Sequence, residues 1–369
     1  MDYFSDPLFV TVFTVVLLSR FLLPLTIIRW PLPGVVACLV LDAADQTIFQ
    51  SFGYDPPFYQ GYDKAMDVFY LGMAYIATLR NWSSLSAFAV SRLLFFYRQV
   101  GVVAFELSGV RALLLVFPNT FEYFFIAYEA VRARWTPTRL LLRGWIVVAA
   151  AIWVFVKLPQ EYWIHIAQLD FTDTLQDYAW FGPLVFGGLA VILVLARVFV
   201  WPRLPGADHP WQLTAPPLPA ELDTAAKRGV WTARHARVWS QATLEKSALV
   251  GLLLVIFASI LSDMDIATWR ILAWTATFVA LNVVGELALA RRGFSSEATV
   301  RAWLARTAAN TLGLLAIDQL IYGSLPLSRA AAFAVLFSTL ITAYDRYRPV
   351  YELRRLQAAA LSTSAAARP

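Results

Sequence analysis

The sequence predicts an all-α, polytopic integral membrane protein with about eleven transmembrane helices. Its 369 residues are 59% hydrophobic and only 15% charged, with a mean hydropathy of +0.60, whereas soluble domains carry about 25% charged residues. Apolar runs of about 20 residues, long enough to cross a bilayer, recur along the chain. The single cysteine, Cys38, lies inside one of these runs, so no intrachain disulfide is expected.

The apolar runs, taken in chain order, are the candidate spans. They cover residues 8–28, 34–50, 65–79, 84–105, 111–131, 144–158, 180–200, 247–262, 268–290, 303–322 and 328–345. The third and the sixth are short, so whether they cross the whole bilayer stays open. The first residues of the chain are acidic where a cleavable signal peptide would be basic, and the first run is therefore expected to remain as a span.

The basic residues between the runs predict an N-out/C-in orientation. With the N-terminus outside, 21 of the 30 Lys and Arg residues fall in inner segments and 5 in outer segments. Cytoplasmic loops of membrane proteins carry such an excess of basic residues. The basic pI of 9.3 is thereby explained by topology, and no nucleic-acid partner is expected. The expected location is the plasma membrane, the inner membrane of a bacterial cell, with the lipid bilayer as the main partner.

The connections divide the chain into four parts. Residues 1–200 are predicted to form an N-terminal bundle of six or seven spans, 201–246 a cytoplasmic linker, 247–345 a four-span bundle, and 346–369 a basic disordered tail. The linker is proline-rich at first, and residues 219–247 have the pattern of a basic amphipathic helix. Residues 158–180, between the sixth and seventh runs, predict an interfacial helix.

Charged residues inside the runs are the candidates for a substrate or ion path. They are Arg20, Asp42, Asp45, Arg92, Arg98, Glu122 and Asp318. Ionisable groups inside a bilayer are costly, and they are usually paired or functional. Asp42 and Asp45 lie three residues apart and therefore share a helix face. Two carboxylates on one face favour a bound cation or a shared proton.

Counting residues from the predicted turns pairs several of these charges at similar membrane depth. Arg20 and Asp42 each lie eleven residues from Pro31, and both would rise about 1.5 Å per residue from the turn. The same counting pairs Arg98 with Glu122, Arg92 with Glu129, and Lys246 with Glu286. Each pair is open to two interpretations, a structural salt bridge or part of a functional path. Pro118-Asn119 predicts a helix break beside Glu122, which is tolerated where a span lines a cavity.

Acidic residues collect in the predicted outer segments, among them Asp55, Asp63 and Asp67. Most are expected to be solvated loop ends, and the alternative is a negative vestibule that attracts cations. A short similarity between residues 45–51 and 318–324 places Asp45 and Asp318 in the outer halves of two spans. Coincidence is the favoured account of so short a match, and the alternative is that both aspartates serve one polar site.

No catalytic motif is found in the sequence. There is no phosphate-binding glycine loop and no G-x-S-x-G, and the 3 histidines all lie outside the runs. No cofactor and no metal ion are therefore expected. The favoured class is a transporter or channel with a charged intramembrane path, with proton or cation coupling left open. Its cargo would be a small ion, a small molecule or a lipid, and an oligomer is compatible with the sequence. The alternatives are a membrane-embedded enzyme acting on a lipid or lipid-linked substrate, and a structural membrane subunit.

Overall fold

The computed structural model describes residues 5–56, 59–167, 174–175, 177–260, 268–292, 300–321 and 327–366. Throughout these residues the ordered elements are helices, and no strand is found among them. The helices, numbered in chain order, are α1 Pro7–Thr26, α2 Pro31–Ser51, α3 Tyr59–Asn81, α4 Leu85–Ser108, α5 Ala112–Val116, α6 Thr120–Arg132, α7 Leu142–Ile164, α8 Phe181–Arg203, α9 Ala225–His235, α10 Gln241–Ile260, α11 Thr268–Arg291, α12 Val300–Ile321 and α13 Leu327–Ala366.

Several of these helices are long and apolar enough to cross a membrane. By length and composition, a search of the described residues finds five of them, namely α1, α2, α4, α7 and α8. The all-helical fold and these five helices support the predicted helical membrane protein. The count of eleven spans and the N-out/C-in orientation stay predictions.

Helix α3 is the centre of the fold. It has 23 residues, more than the predicted run 65–79, and every residue from 68 to 82 is buried. Helices α1, α2, α4, α6, α10 and α13 all pack against it. Tyr75 stacks on Phe95 of α4 at 4.5 Å between ring centroids, and Trp82 stacks on Tyr128 of α6 at 3.7 Å. Protein surrounds α3, which explains how a bundle can hold polar groups along it.

A tight turn joins α1 to α2. Gly34 approaches the turn so closely that a Cβ there would lie 2.9 Å from the backbone nitrogen of Ile27. The linker after α8 packs at the same turn, because the Ala215 N–H donates to the Arg29 carbonyl over 2.8 Å. We call this the Arg29 end of the bundle. The opposite end, where α2 finishes and α3 begins, we call the Ser51 end.

The middle of the chain differs from the prediction in two places. The predicted span 111–131 is divided into α5 and α6, because the helix is interrupted between Phe117 and Asn119. Pro118 lacks the N–H that a continuous helix needs there, as expected from the sequence. Residues 158–164, predicted to start an interfacial segment, instead continue α7, with π-helical turns on both sides of Pro159. These wider turns accommodate the missing N–H without ending the helix.

The linker and the tail also differ. The predicted helix 219–247 is shorter, since α9 begins after the Thr224 cap and ends at His235. Residues 346–366, predicted to be disordered, continue α13 as a helix. The reason is packing at the Arg29 end, where Val350 is fully buried together with Leu222. In addition, Arg354 donates to the carbonyls of Arg80 and Trp82 at the end of α3.

Candidate functional site

One arginine and four aspartates meet where α1, α2 and α3 pack together. We call Arg20, Asp42, Asp45, Asp63 and Asp67 the aspartate cluster. Arg20 Nη2 lies 2.6 Å from Asp42 Oδ1 and 2.6 Å from Asp67 Oδ1. Arg20 Nη1 lies 2.8 Å from Asp63 Oδ1 and also bonds to Asp45 Oδ2. A single guanidinium thus contacts four carboxylates, using the fork of donors that suits Arg to this role.

Helical spacing on each helix explains why these residues meet. Arg20 follows Phe9, Val12 and Val16 on the buried face of α1. On α3, Asp63, Asp67 and Tyr70 are separated by four and three residues and share a face. The buried positions of α2 end with Asp45 and Phe49. The apolar stripes that bring the three helices together therefore bring the charges together as well.

Burial within the cluster is uneven. The side chains of Arg20 and Asp45 are 4% and 0% exposed, whereas those of Asp42, Asp63 and Asp67 are 34%, 31% and 40% exposed. The Tyr59 hydroxyl closes the buried side by donating to Asp45 Oδ1. The arginine is thus sealed inside, while three carboxylates remain accessible from outside the cluster.

The cluster has more negative than positive charge. Asp42, Asp63 and Asp67 each offer an oxygen within 4.8 Å of the others. Two ionised carboxylates at that distance repel by roughly 3 kcal/mol at an effective dielectric constant of about 20. One guanidinium cannot compensate for four such groups, and this excess of negative charge favours protonation of a carboxylate or a bound cation. Carboxylate oxygens at this spacing are suitable ligands for a hard cation.

A second polar site lies at the break between α5 and α6. Glu122 accepts from the Tyr70 hydroxyl over 2.9 Å and from Asn119 Nδ2 over 3.0 Å. The Asn119 backbone N–H donates to Glu161 of α7 over 3.0 Å. Arg98 of α4 donates to the freed carbonyl of Phe117 over 2.9 Å. The predicted break beside Glu122 is confirmed, and side chains satisfy the backbone groups that it frees.

A third site, near the Arg29 end, joins α10 to α13. We call Glu245, Lys246, Glu286, Arg306, Asp345 and Arg348 the paired cluster. Lys246 contacts Asp345 and lies 3.6 Å from Glu286, while Arg306 lies 3.1 Å from the other Asp345 oxygen. Arg348 bonds to Glu245, which also accepts from the Tyr75 hydroxyl of α3. Three bases meet three acids in this cluster, and Arg92 near Glu245 and Glu352 near Arg348 add one charge of each sign.

The predicted pairs divide into confirmed and wrong ones. Arg20 contacts Asp42, and Lys246 contacts Glu286, as residue counting from the turns predicts. The pair of Arg98 with Glu122 is wrong as an ion pair, because Arg98 lies 4.0 Å from Glu161 instead, although Arg98 remains among the charges that act on Glu122. The prediction failed because the helix break turns Glu122 toward Tyr70 instead.

The pair of Arg92 with Glu129 is also wrong. Arg92 lies 3.8 Å from Glu245 of α10, and Glu129 bonds to Arg132 at 2.5 Å and to the Trp82 indole at 2.9 Å. Residue counting gives depth but no rotation about the helix axis, and here rotation decided the partner. The side chain of Asp318 lies outside the described residues, so its predicted place beside Asp45 stays a prediction.

Sequence reasoning missed part of the aspartate cluster. Asp63 and Asp67 were expected at the outer side, because they lie just before and just after the start of the third apolar run at residue 65. Their spacing with Tyr70 was the available signal, since residues four and three apart share one face of a helix. Comparisons of this chain with family models, curated proteins and solved structures find no match.

Proposed function

We propose that the protein is a multi-pass membrane transporter or channel that takes up a proton or a small cation at the aspartate cluster. The observation that carries the proposal is the contact of one buried arginine with four carboxylates from three helices. Ionisable groups within membrane bundles mark ion and substrate paths by default. The plasma-membrane location, the eleven spans and the N-out/C-in orientation belong to this proposal.

The excess of negative charge favours this function over a structural one. A cluster that only holds helices in register needs balanced charges, since uncompensated charges in a low-dielectric interior are unfavourable. The aspartate cluster departs from balance by three carboxylates. Its three partly exposed members give an entering ion access, while Asp45 and Arg20 fix the site from the buried side.

A membrane-embedded enzyme has less support. Holding a phosphate of a lipid substrate would call for arginines that converge on one opening with free donors. In the part of the chain that the structure describes, the three arginines of the predicted path lie apart, each beside a carboxylate. Arg20 lies beside the aspartates, Arg92 beside Glu245, and Arg98 beside Glu161.

Ion flux into liposomes tests the proposal. Purified protein reconstituted in proteoliposomes is expected to give a flux driven by a gradient of protons, Na⁺ or K⁺. The isosteric variant Asp45→Asn, which removes one charge beside Arg20 and Tyr59, is expected to lower that flux at least about tenfold. Asp177→Asn makes the same chemical change at an exposed position outside the cluster and is expected to retain it. Absence of flux in the unaltered protein, or equal flux in both variants, would reject the proposal.

A further inference from the structure

We propose that the ion taken up at the aspartate cluster is a proton, and that it passes from Asp42 to Glu122 through the hydroxyl of Tyr70. The inference rests on the proposed function and adds to it the identity of the ion and the next group on its path. It joins two polar sites, the aspartate cluster and the break between α5 and α6, both of which contact α3.

A narrow cavity connects the aspartate cluster with Tyr70. It is lined by Arg20, Leu23, Pro24, Cys38, Leu41, Asp42 and Tyr70. Its polar groups are Arg20, Asp42 and Tyr70, and the remaining lining is apolar apart from the Cys38 thiol. Tyr70 and Cys38 are each 6% exposed. Side chains of α1, α2 and α3 thus line a space that extends from Asp42 to the buried Tyr70.

Tyr70 leads from this cavity to the second carboxylate. Its hydroxyl donates to Glu122 Oε1 over 2.9 Å, and Asn119 holds Glu122 Oε2 at 3.0 Å. Glu122 is 7% exposed. Beyond it, the Asn119 N–H contacts Glu161 of α7 over 3.0 Å. A carboxylate, a hydroxyl and a second carboxylate thus follow one another from the cluster to the helix break.

Ionisable groups from four helices surround Glu122, the acceptor of the proposed transfer. The ionisable groups that face it from the packed helices are Asp42 on α2, Tyr70 on α3, Arg98 on α4 and Lys157 on α7. Two of these are cations, so the buried Glu122 carboxylate has positive charge nearby before transfer. Asp42, by contrast, stands among three other carboxylates. A proton taken up by Asp42 lowers the repulsion among these carboxylates. It can be passed on when a second proton enters the cluster.

The transfer conserves atoms and charge. A protonated Asp42 gives its proton to the Tyr70 oxygen through water in the cavity that both residues line, while Tyr70 gives its own hydroxyl proton to Glu122. Asp42 becomes a carboxylate, Glu122 becomes a carboxylic acid, and Tyr70 is unchanged. A hydroxyl can do this because it donates one hydrogen bond and accepts others. A metal cation has no equivalent route, since it would have to displace the phenol from Glu122 inside a closed core.

Two substitutions remove single steps of this path. Tyr70→Phe deletes only the hydroxyl, and Glu122→Gln deletes only the acceptor charge. In proteoliposomes with a pH-sensitive dye inside, each variant is expected to lower proton flux at least about tenfold. Tyr75→Phe is the matched control, because Tyr75 lies on the same helix and also donates to a buried glutamate, Glu245. It is expected to keep the flux, and size-exclusion elution identifies any variant that fails to fold.

The outcomes separate this inference from the proposed function. If Asp45→Asn abolishes flux while Tyr70→Phe and Glu122→Gln retain it, the path through Tyr70 is wrong, whereas the ion site at the aspartate cluster is supported. Flux of Na⁺ or K⁺ without protons overturns the path in the same way.

If the unaltered protein gives no flux, the proposed function fails, and infrared spectra of acidic minus alkaline samples test the path by themselves. The path requires a carboxylic acid band that Glu122→Gln removes and Tyr70→Phe shifts. A difference spectrum without that band overturns it.

Discussion

The aspartate cluster and the paired cluster are both networks of buried ions, and they differ in charge balance. In the first, Arg20 contacts four carboxylates. In the second, three bases meet three acids, and Lys246, Asp345 and Arg348 are nearly fully buried. A balanced network can hold helices in register and do nothing else. An unbalanced one keeps uncompensated negative charge, which favours uptake of a proton or a cation, and the proposed function rests on that difference.

Helix α3 contributes tyrosines to both networks. Tyr59 and Tyr70 donate to Asp45 and Glu122 toward the Ser51 end, and Tyr75 donates to Glu245 toward the Arg29 end. The same kind of contact therefore occurs in two electrostatic settings on one helix. Substitutions in each cluster can test whether the role of the cluster is set by its charge balance or by its burial.

The largest effect is expected for Arg20→Met. Breaking a buried ion pair by removing one partner costs about 3–5 kcal/mol, and here four carboxylates would lose their cation together. We expect the free energy of unfolding to fall by at least that amount, or the protein to fail to accumulate. SDS-induced unfolding in mixed micelles measures the change.

An exposed arginine serves as the control for that variant. Arg139→Met breaks a pair with Asp208 in which the Arg139 side chain is 62% exposed. Exposed pairs contribute about 0–1 kcal/mol, so its effect is expected to stay within that range. Similar losses for Arg20→Met and Arg139→Met would mean that the aspartate cluster is not held by its arginine.

A smaller effect on the free energy of unfolding is expected when one aspartate in each cluster is neutralised, and its size is expected to differ between the two clusters. Asp345→Asn leaves Lys246 and Arg306 facing Glu286 alone, and we expect a loss of about 3 kcal/mol. Asp45→Asn removes one of four like charges around Arg20, so we expect a change below about 1 kcal/mol. The same unfolding assay compares them.

A double-mutant cycle sharpens this comparison. Lys246→Met combined with Asp345→Asn removes a base and an acid together and keeps the paired cluster balanced. The two changes are expected to compensate each other by about 0.5–3 kcal/mol. If Asp45→Asn destabilised the protein as much as Asp345→Asn, the distinction between the clusters would be lost.

The smallest effect concerns Asp6, which lies outside both clusters at the start of α1. Its carboxylate accepts from the Tyr54 hydroxyl over 2.7 Å and from the Leu8 N–H over 2.9 Å. These two hydrogen bonds, that from Tyr54 first, lower the pKa of Asp6 below its ordinary value. The stabilisation of the folded state by the Asp6 carboxylate is therefore complete above about pH 4, and it is lost as the pH falls through the lowered pKa of Asp6.

Hydrogen exchange measures this effect locally. Exchange of the amides in the first turn of α1 is expected to accelerate in acid in the unaltered protein. In Asp6→Asn the same amides should exchange faster than in the unaltered protein at neutral pH, with little further dependence on acid. An acid dependence that survives the substitution would assign the effect to another group.

Much of the helical fold was predictable because apolar runs and turn residues lie close together in sequence. The runs 8–28, 34–50 and 84–105 correspond to α1, α2 and α4. Helix α3 was underestimated because Asp63, Lys64 and Asp67 interrupt its apolar character. A hydropathy pattern detects helices that face lipid, and a helix surrounded by protein can hold charges that the pattern treats as an end.

The candidate site was predictable only where partners sit on adjacent helices of a short hairpin. Arg20 and Asp42 satisfy that condition across the turn at Gly34. Glu245 and Arg348 do not, since 103 residues separate them and the contact depends on how distant helices pack. The partner of Arg98 was not predictable in this way, because the break at Pro118 changes both the direction of the following helix α6 and its rotation about its own axis.

The position of Arg20 also bears on how the chain enters the bilayer during synthesis. Asp45 follows it by 25 residues and Asp67 by 47, so α1 emerges from the ribosome with its cation unaccompanied. On the translocon insertion scale a central arginine is unfavourable by about 3 kcal/mol, and each Leu or Phe is favourable by about 0.3–0.6. The thirteen Leu, Val and Phe residues of α1 together outweigh the arginine. The apolar helix α1 can therefore remain inserted in the membrane until the aspartates that pair with Arg20 have been translated.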